Sequence, residues 1–347
     1  MLKGISKHNN LSNYMSFFII LAISLIIIFS FTFSAAAQRE FTDMMGRKVM
    51  LPAQVERLVT TYKPATQFVL SLQAGERLKA VPIQTENQKL FMKLNPELAE
   101  LPQVGSRRNG VNIETIASVN PDLVILYPHR DAIDTAEMLE KQGIQSIIIN
   151  PESLDKIRET TNLLAAILGQ EEQGEKIIEA YDRIETLTAK SSQIKAEQKK
   201  QVYFANSELG STVGADMMQT SLIENAGAVN PAAALKSGFL SISAERLIEW
   251  NPDLIVVSQF FNEDLEELSA EPRFQALKAF KNSAIYRFPS QLEPWDFPSP
   301  SSYIAQLWLA VKTYPEKYED LDYKAEVERF YESLYNISFS DLGGEFE

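Results

Sequence analysis

Asn112-Ile113-Glu114-Thr115-Ile116-Ala117-Ser118-Val119-Asn120-Pro121-Asp122-Leu123-Val124-Ile125-Leu126 has a near-copy 131 positions later. There the chain reads Ser243-Ala244-Glu245-Arg246-Leu247-Ile248-Glu249-Trp250-Asn251-Pro252-Asp253-Leu254-Ile255-Val256-Val257. In both, a glutamate precedes Asn-Pro-Asp-Leu by six positions and a short apolar run follows. Ile113, Ile116 and Ala117 recur at helical spacing, as do Ala244, Leu247 and Ile248. Proline biases the residue before it away from the helical region and so closes each helix. The branched apolar run after Asp-Leu predicts a strand buried on both faces, as in a parallel sheet. The chain therefore holds two α/β units of one design, and the rest can be arranged around them.

The 347 residues suggest about two domains, and 45% hydrophobic with 23% charged residues is ordinary globular material. Residues 1–37 stand apart from that material. Lys3 and Lys7 open a basic segment, Phe17 to Phe33 is apolar apart from Ser24, Ser30 and Thr32, and Ala35-Ala36-Ala37 precedes Gln38. This predicts a secretory signal peptide cut at Ala37–Gln38, with an uncleaved membrane anchor as the alternative. Cysteine is absent, which excludes a disulfide framework, a thiol nucleophile and a lipid-bearing cysteine. A free exported protein needs a second wall to retain it, so the periplasm is the expected compartment. Without Lys3 and Lys7 the chain has 31 basic and 46 acidic residues, a net of −15, and nucleic acid is an unfavoured partner.

From Phe41 to Pro52 the sequence predicts a hairpin turning near Gly46. Strands are expected at 57–61, 78–83 and 145–149, with helices at 64–74, 132–142 and 153–168, a strand–helix alternation that implies parallel sheets. From 171 to about 199 runs one polar helical stretch whose apolar stripe is Ile177, Ile178, Tyr181, Ile184, Leu187 and Ile194. It is either a surface helix or a rigid strut between two lobes. Strand 201–205, helix 215–225 and the second helix–strand copy follow, with a helix from 271 to 280 and strand 284–288. Closing helices are expected at 303–314 and 325–335, with 338–347 frayed. The domains are then signal peptide 1–37, first lobe 38–169, connecting helix 170–199 and second lobe 200–347.

Gly-x-Gly-x-x-Gly, the phosphate-loop Gly-Lys-Ser/Thr and Gly-x-Ser-x-Gly are all missing from the sequence. His129 is the one histidine outside the signal segment, so a histidine-rich metal site is excluded by count and no serine triad has a partner. The chain is expected to be a non-enzyme without a resident cofactor or protein-held metal. Glu114 and Glu245 each lie two positions after a candidate N-cap, Asn112 and Ser243. They act either as first-turn carboxylates on the helix dipole or as a pair of surface docking charges.

Gly46-Arg47-Lys48-Val49-Met50-Leu51-Pro52, the segment 112–126 and the segment 272–289 resemble the class III periplasmic solute-binding proteins that feed ABC importers for ferric siderophores, haem and cobalamin. The resemblance extends from about Phe41 to Tyr335. It implies an α/β fold of two Rossmann-like lobes with parallel sheets, joined by one long α-helix, with a ligand cleft between the lobes. It also implies that Glu114 and Glu245 dock onto the inner-membrane permease dimer, and that the protein works as a monomer.

Open α/β sheets bind ligands at the carboxyl ends of their strands. Candidate ligand contacts on the loops there are Tyr62, Lys63, Arg107, Arg108, Tyr127 and His129 from the first lobe, and Gln259, Phe260, Phe261 and Trp295 from the second. Bases and tyrosines suit anionic oxygens, and aromatic faces suit a chelator or macrocycle. Each of these residues alone also fits plain solvated surface. Trp295-Asp296-Phe297-Pro298-Ser299-Pro300 is either a proline-stiffened connection or an aromatic lip over the cleft. The expected ligand is a ferric siderophore, with iron the expected metal. Alternatives are molybdate or tungstate, cobalamin and haem; rivals of other classes are a chelatase-like enzyme and a membrane-tethered sensory domain.

Overall fold

The computed structural model describes residues 38–82, 89–106, 110–128, 131–236 and 238–346. Its opening strands β1 (Gln38–Thr42) and β2 (Lys48–Pro52) form a two-stranded sheet. Asp43 makes their turn. Its buried carboxylate accepts the N–H groups of Met45, Arg47 and Ile148, while Gly46 takes a φ of 81°, open to glycine at no steric cost. The hairpin is thereby fastened to the first parallel sheet.

That sheet comes from β3 (Leu58–Thr60), β4 (Leu78–Ala80), β7 (Leu123–Leu126) and β8 (Ser146–Ile148), in the order β4-β3-β7-β8. Between these strands lie helices α1 (Lys63–Ser71), α2 (Lys89–Leu94), α3 (Ile113–Ser118) and α4 (Ala132–Glu140), and the two-residue strands β5 (Gly105–Ser106) and β6 (Gly110–Val111). Helix α5 (Leu154–Leu168) follows, capped by the Ser153 hydroxyl and stopped by Gly169 at φ 65°. The second sheet has the order β13-β12-β9, from β9 (Val202–Ala205), β12 (Leu254–Val257) and β13 (Ile285–Arg287), every pairing parallel.

Alternate strand residues serve different cores. Leu123 and Ile125 join a central cluster that also takes Val202, Phe204, Leu254 and Val256 from the second sheet, whereas Val124 and Leu126 face a separate first-lobe cluster. Tyr203, Ala205, Ile255 and Val257 face a third. Both sheets are buried on both faces, as their apolar runs require. One hydrophobic core spans the two lobes.

Helix α6 (Glu171–Ser192) links the lobes and is shorter than the stretch 171–199 read from sequence. The Ser191 and Ser192 hydroxyls donate back to the carbonyls of Thr188 and Ala189, a local competition that favours helix ends. Helix α6 links the lobes as a packed helix rather than as a surface one. Tyr181 stacks on Tyr303 at 3.8 Å, and Gly174 lies so close to α5 that a Cβ there would sit 2.6 Å from that of Ala165. Arg183 forms a paired hydrogen bond with Glu326 at 2.6 Å.

The remaining helices are α7 (Met218–Asn225), α8 (Ala244–Trp250), α9 (Leu265–Ala270), α10 (Lys278–Lys281), α11 (Ser302–Thr313) and α12 (Tyr323–Tyr335). The pairing of the three-residue strands β10 (Ser211–Val213) and β11 (Phe239–Ser241) is antiparallel. The segment expected to fray after α12 instead packs. Phe339 and Leu342 are buried, and Phe339 lies against Tyr331 and Trp295.

Candidate functional site

The duplicated motif proves to be a device for sheet register. Asp122 accepts the N–H groups of Glu56 and Arg57 at 2.9 Å, and Asp253 accepts that of Gln201 at 2.9 Å. Each aspartate thus pins the entry of the neighbouring strand, β3 or β9, to its own. Asn120 and Asn251 stop the preceding helices with φ of 43° and 45°. The stop is a left-handed asparagine as well as the proline after it, a conformation asparagine tolerates better than most residues.

Asn112 and Ser243 cap α3 and α8 through the N–H groups of Thr115 and Arg246. Glu114 and Glu245 are both exposed in the first turns that follow. Glu245 has its pKa held below the usual carboxylate value by its own backbone N–H and the Ser243 hydroxyl, with Arg273 adding a smaller effect. Local capping therefore operates at Glu245, and the carboxylate still faces outward.

At the carboxyl end of β3, Tyr62 is the N-cap residue of α1 and Lys63 its first residue. The Tyr62 and Tyr127 rings meet at 4.3 Å between centroids, and the Tyr127 hydroxyl donates to Glu152, on the loop after β8. Lys63 is half-buried, and burial pushes its ammonium pKa down. A cation in a first turn with no acidic residue also runs against the helix dipole. Tyr62, Lys63 and Tyr127 therefore share one neighbourhood. Arg107, Arg108 and His129 lie outside the described residues. The backbone beside them is specialised: Gly105 has a φ of 111°, and a Cβ there would meet the Gly110 carbonyl at 2.2 Å.

The second-lobe residues divide. Gln259 and Phe260 form the turn after β12, and Phe260 is 53% exposed with its ring 5.5 Å from Phe297. Phe261 and Trp295 are not on the crevice surface. Phe261 is 5% exposed and belongs to the third core cluster, under the Arg287 guanidinium that donates to the carbonyls of Ser258 and Phe261. Trp295 is 2% exposed, and its indole N–H donates to the Tyr331 hydroxyl at 2.8 Å. The aromatic lip is thus a core plug, because α12 offers the indole both an apolar wall and an acceptor.

That loop also supplies groups that no sequence signal singles out. Glu293 is buried, with one carboxylate oxygen accepting the Tyr331 hydroxyl at 2.6 Å and the other accepting the Gln67 amide of α1. Gln67 stands one turn after Lys63, so the contact bolts the Lys63 helix to the second lobe. Burial pushes the Glu293 carboxyl up to about 7 and that of the neighbouring Asp296 to about 6. Nothing local in the sequence signals a buried Glu293, since its partners are 226 and 38 positions away.

The family model for periplasmic binding proteins matches residues 58–292, and the chain belongs to that family. The molybdate-binding protein MolA of Haemophilus influenzae is 26% identical over 336 residues, covering 90% of this chain and 95% of that one. The structure of MolA bound to molybdate has a TM-score of 0.75 at 24% identity, over 86% of this chain and 98% of that one. A vitamin B12-binding protein of Vibrio parahaemolyticus is 25% identical over 59% of this chain and 71% of its own. The CeuE nickel–histidine complex of Helicobacter pylori has a TM-score of 0.74 at 18% identity, covering 88% of this chain and 98% of that one, a likeness of fold alone. The molybdate and vitamin B12 relatives are binding proteins. Among the described residues, no helix is long and apolar enough to cross a membrane.

Proposed function

We propose that the chain is a periplasmic receptor for a small tetrahedral oxyanion, molybdate or tungstate, which it delivers to an inner-membrane ABC importer. The observation that carries this reading is the match to a molybdate-binding relative over 90% of this chain and 95% of that one, against 59% for the vitamin B12-binding relative. The site chemistry supports it. A half-buried Lys63 at a helix N-terminus gains from an anion twice, through its own charge and through the dipole. Tyr62 and Tyr127 stand beside it as oxygen-bearing neighbours, and Arg107, Arg108 and His129 belong to the same proposal on sequence grounds. With Phe261 and Trp295 taken into the core, the aromatic floor expected for a ferric siderophore is much reduced.

A second reading, a larger ligand such as cobalamin, haem or a ferric chelate, is favoured by the exposed Phe260 against the half-buried Phe297 alone. Docking by Glu114 and Glu245, a binding rather than catalytic role, a monomer, and export through a signal peptide at 1–37 complete the proposal; the signal segment lies outside the described residues. A thermal-shift panel of molybdate, tungstate, ferric siderophores, haem and cobalamin tests it. A ligand at a hundred times its dissociation constant stabilises by roughly 2.7 kcal/mol. The oxyanions should raise the melting temperature and the bulky compounds should not; the reverse pattern sinks the oxyanion reading.

A further inference from the structure

Helix α1, which opens on Lys63, is held to the second lobe at two points. At its carboxyl end the Gln173 amide of α6 donates to the Ser71 carbonyl at 2.9 Å and to the Ser333 and Leu334 carbonyls of α12 at 3.0 and 3.2 Å. That staple satisfies the open carbonyls of two helix ends with a neutral group. Midway along α1, Gln67 donates to Glu293, which also accepts the Tyr331 hydroxyl. The second contact is therefore the one with an ionisable group at its centre.

Among the described residues, the groups around Glu293 offer hydrogen bonds and no cation. Gln67 faces it from α1, Tyr331 and Tyr335 from α12, and Ser301 from the turn before α11. From the C-terminal tail, Phe339 and Glu345 line a cavity of about 10 Å³ beside it, room for about one water and a second acid instead of a counter-charge. A neutral carboxyl suits such a site. A carboxylate there has to recruit water, which enters the dry contact and loosens it.

Gln67 follows Lys63 by four residues, about 6 Å along the helix axis, so a shift at Gln67 is carried straight to Lys63 and the first-turn N–H groups. We propose that Glu293 is a positioning residue for the anion crevice: through Gln67 it holds α1, and with it Lys63 and the helix N-terminus, at the setting the ligand needs. The ligand is taken from the oxyanion reading above; the hold on α1 comes from the contacts themselves. Ionisation of Glu293 acts twice in one direction, loosening α1 and placing a negative charge behind the anion. Affinity for a dianion is then full while Glu293 keeps its proton and falls as pH rises through about 7.

Molybdate titrations of the mature full-length protein at roughly pH 6 and pH 8 read this directly. The parent should lose affinity about fivefold to tenfold between them. Glu293→Gln, a permanent image of the neutral acid, should match the parent at the lower pH and lose less at the higher. Glu293→Leu, apolar and unable to accept either bond, should bind roughly threefold or more weakly at both. Lys63 titrates in the parent and in Glu293→Gln alike, so the difference between their profiles belongs to Glu293. Identical profiles, or parental affinity in Glu293→Leu, overturn the positioning role; a merely structural role moves the melting temperature alone. Should Glu293→Leu unfold, as read by circular dichroism, the Glu293→Gln profile decides. Amide NMR of Lys63, Ala65 and Thr66 without ligand separates this role from the oxyanion reading. Those signals should titrate near pH 7 in the parent and lose that step in Glu293→Gln. If they do and molybdate does not bind, the oxyanion reading falls and the hold on α1 stands. If the parent signals show no such step, the hold falls whatever the ligand.

Discussion

Lys63 opens α1 and Glu293 holds Gln67 one turn further along it, and each makes a prediction that pH can read. Burial lowers the Lys63 pKa, and a bound anion should raise it again. At alkaline pH, oxyanion binding should therefore take up protons, seen as binding heats that differ between buffers of different ionisation enthalpy. Heats independent of buffer would remove Lys63 from the site. For Glu293 the folded pKa rises from the ordinary 4.5 to about 7. Such a carboxyl keeps its proton in the folded chain while the unfolded chain releases it. Its stabilising effect is complete below the unfolded pKa and is lost as pH rises through about 7. Urea midpoints should thus fall between mildly acidic and mildly alkaline pH, and Glu293→Gln should flatten that fall. The effect of Asp296, centred on about 6, would remain.

The α/β elements were largely legible because their signals are local. Apolar runs of four with Asn-Pro before them have one good solution, a strand buried on both faces. Asp122→Ala should destabilise the protein by about 1–2 kcal/mol, since it removes two strand-entry acceptors. Asp253→Ala loses one such bond and an exposed ion pair with Lys278, so it should cost less. Chemical denaturation of the two variants checks the order, and equal null effects would show the aspartates to be ornamental. The site was less legible, for a physical reason. A loop position says that Trp295 lies near the strand ends, yet whether it faces solvent depends on Tyr331 and Phe339, which come from elements read separately. Phe261 went the same way, while its neighbour Phe260 stayed out. The end of α6 also escaped prediction, because two serines can continue a helix or close it, and here one is held by the Tyr318 hydroxyl at 2.8 Å.

For the molecule as a whole, one core shared by both sheets, with α6 between the lobes packed into it, argues for small relative movement on binding. The docking reading needs little more than that, two outward carboxylates held at a fixed separation. Glu114→Ala combined with Glu245→Ala should leave oxyanion affinity unchanged and abolish uptake. Uptake at the parent rate, or lost ligand binding, would sink the docking assignment.

Isothermal titration calorimetry of the mature protein with sodium molybdate tests the oxyanion assignment. An oxyanion receptor should show saturable binding of one anion per chain, matched by tungstate and weakened roughly tenfold or more in Lys63→Ala. Absence of heat with both oxyanions, together with saturable binding of a ferric siderophore, haem or cobalamin, would contradict it.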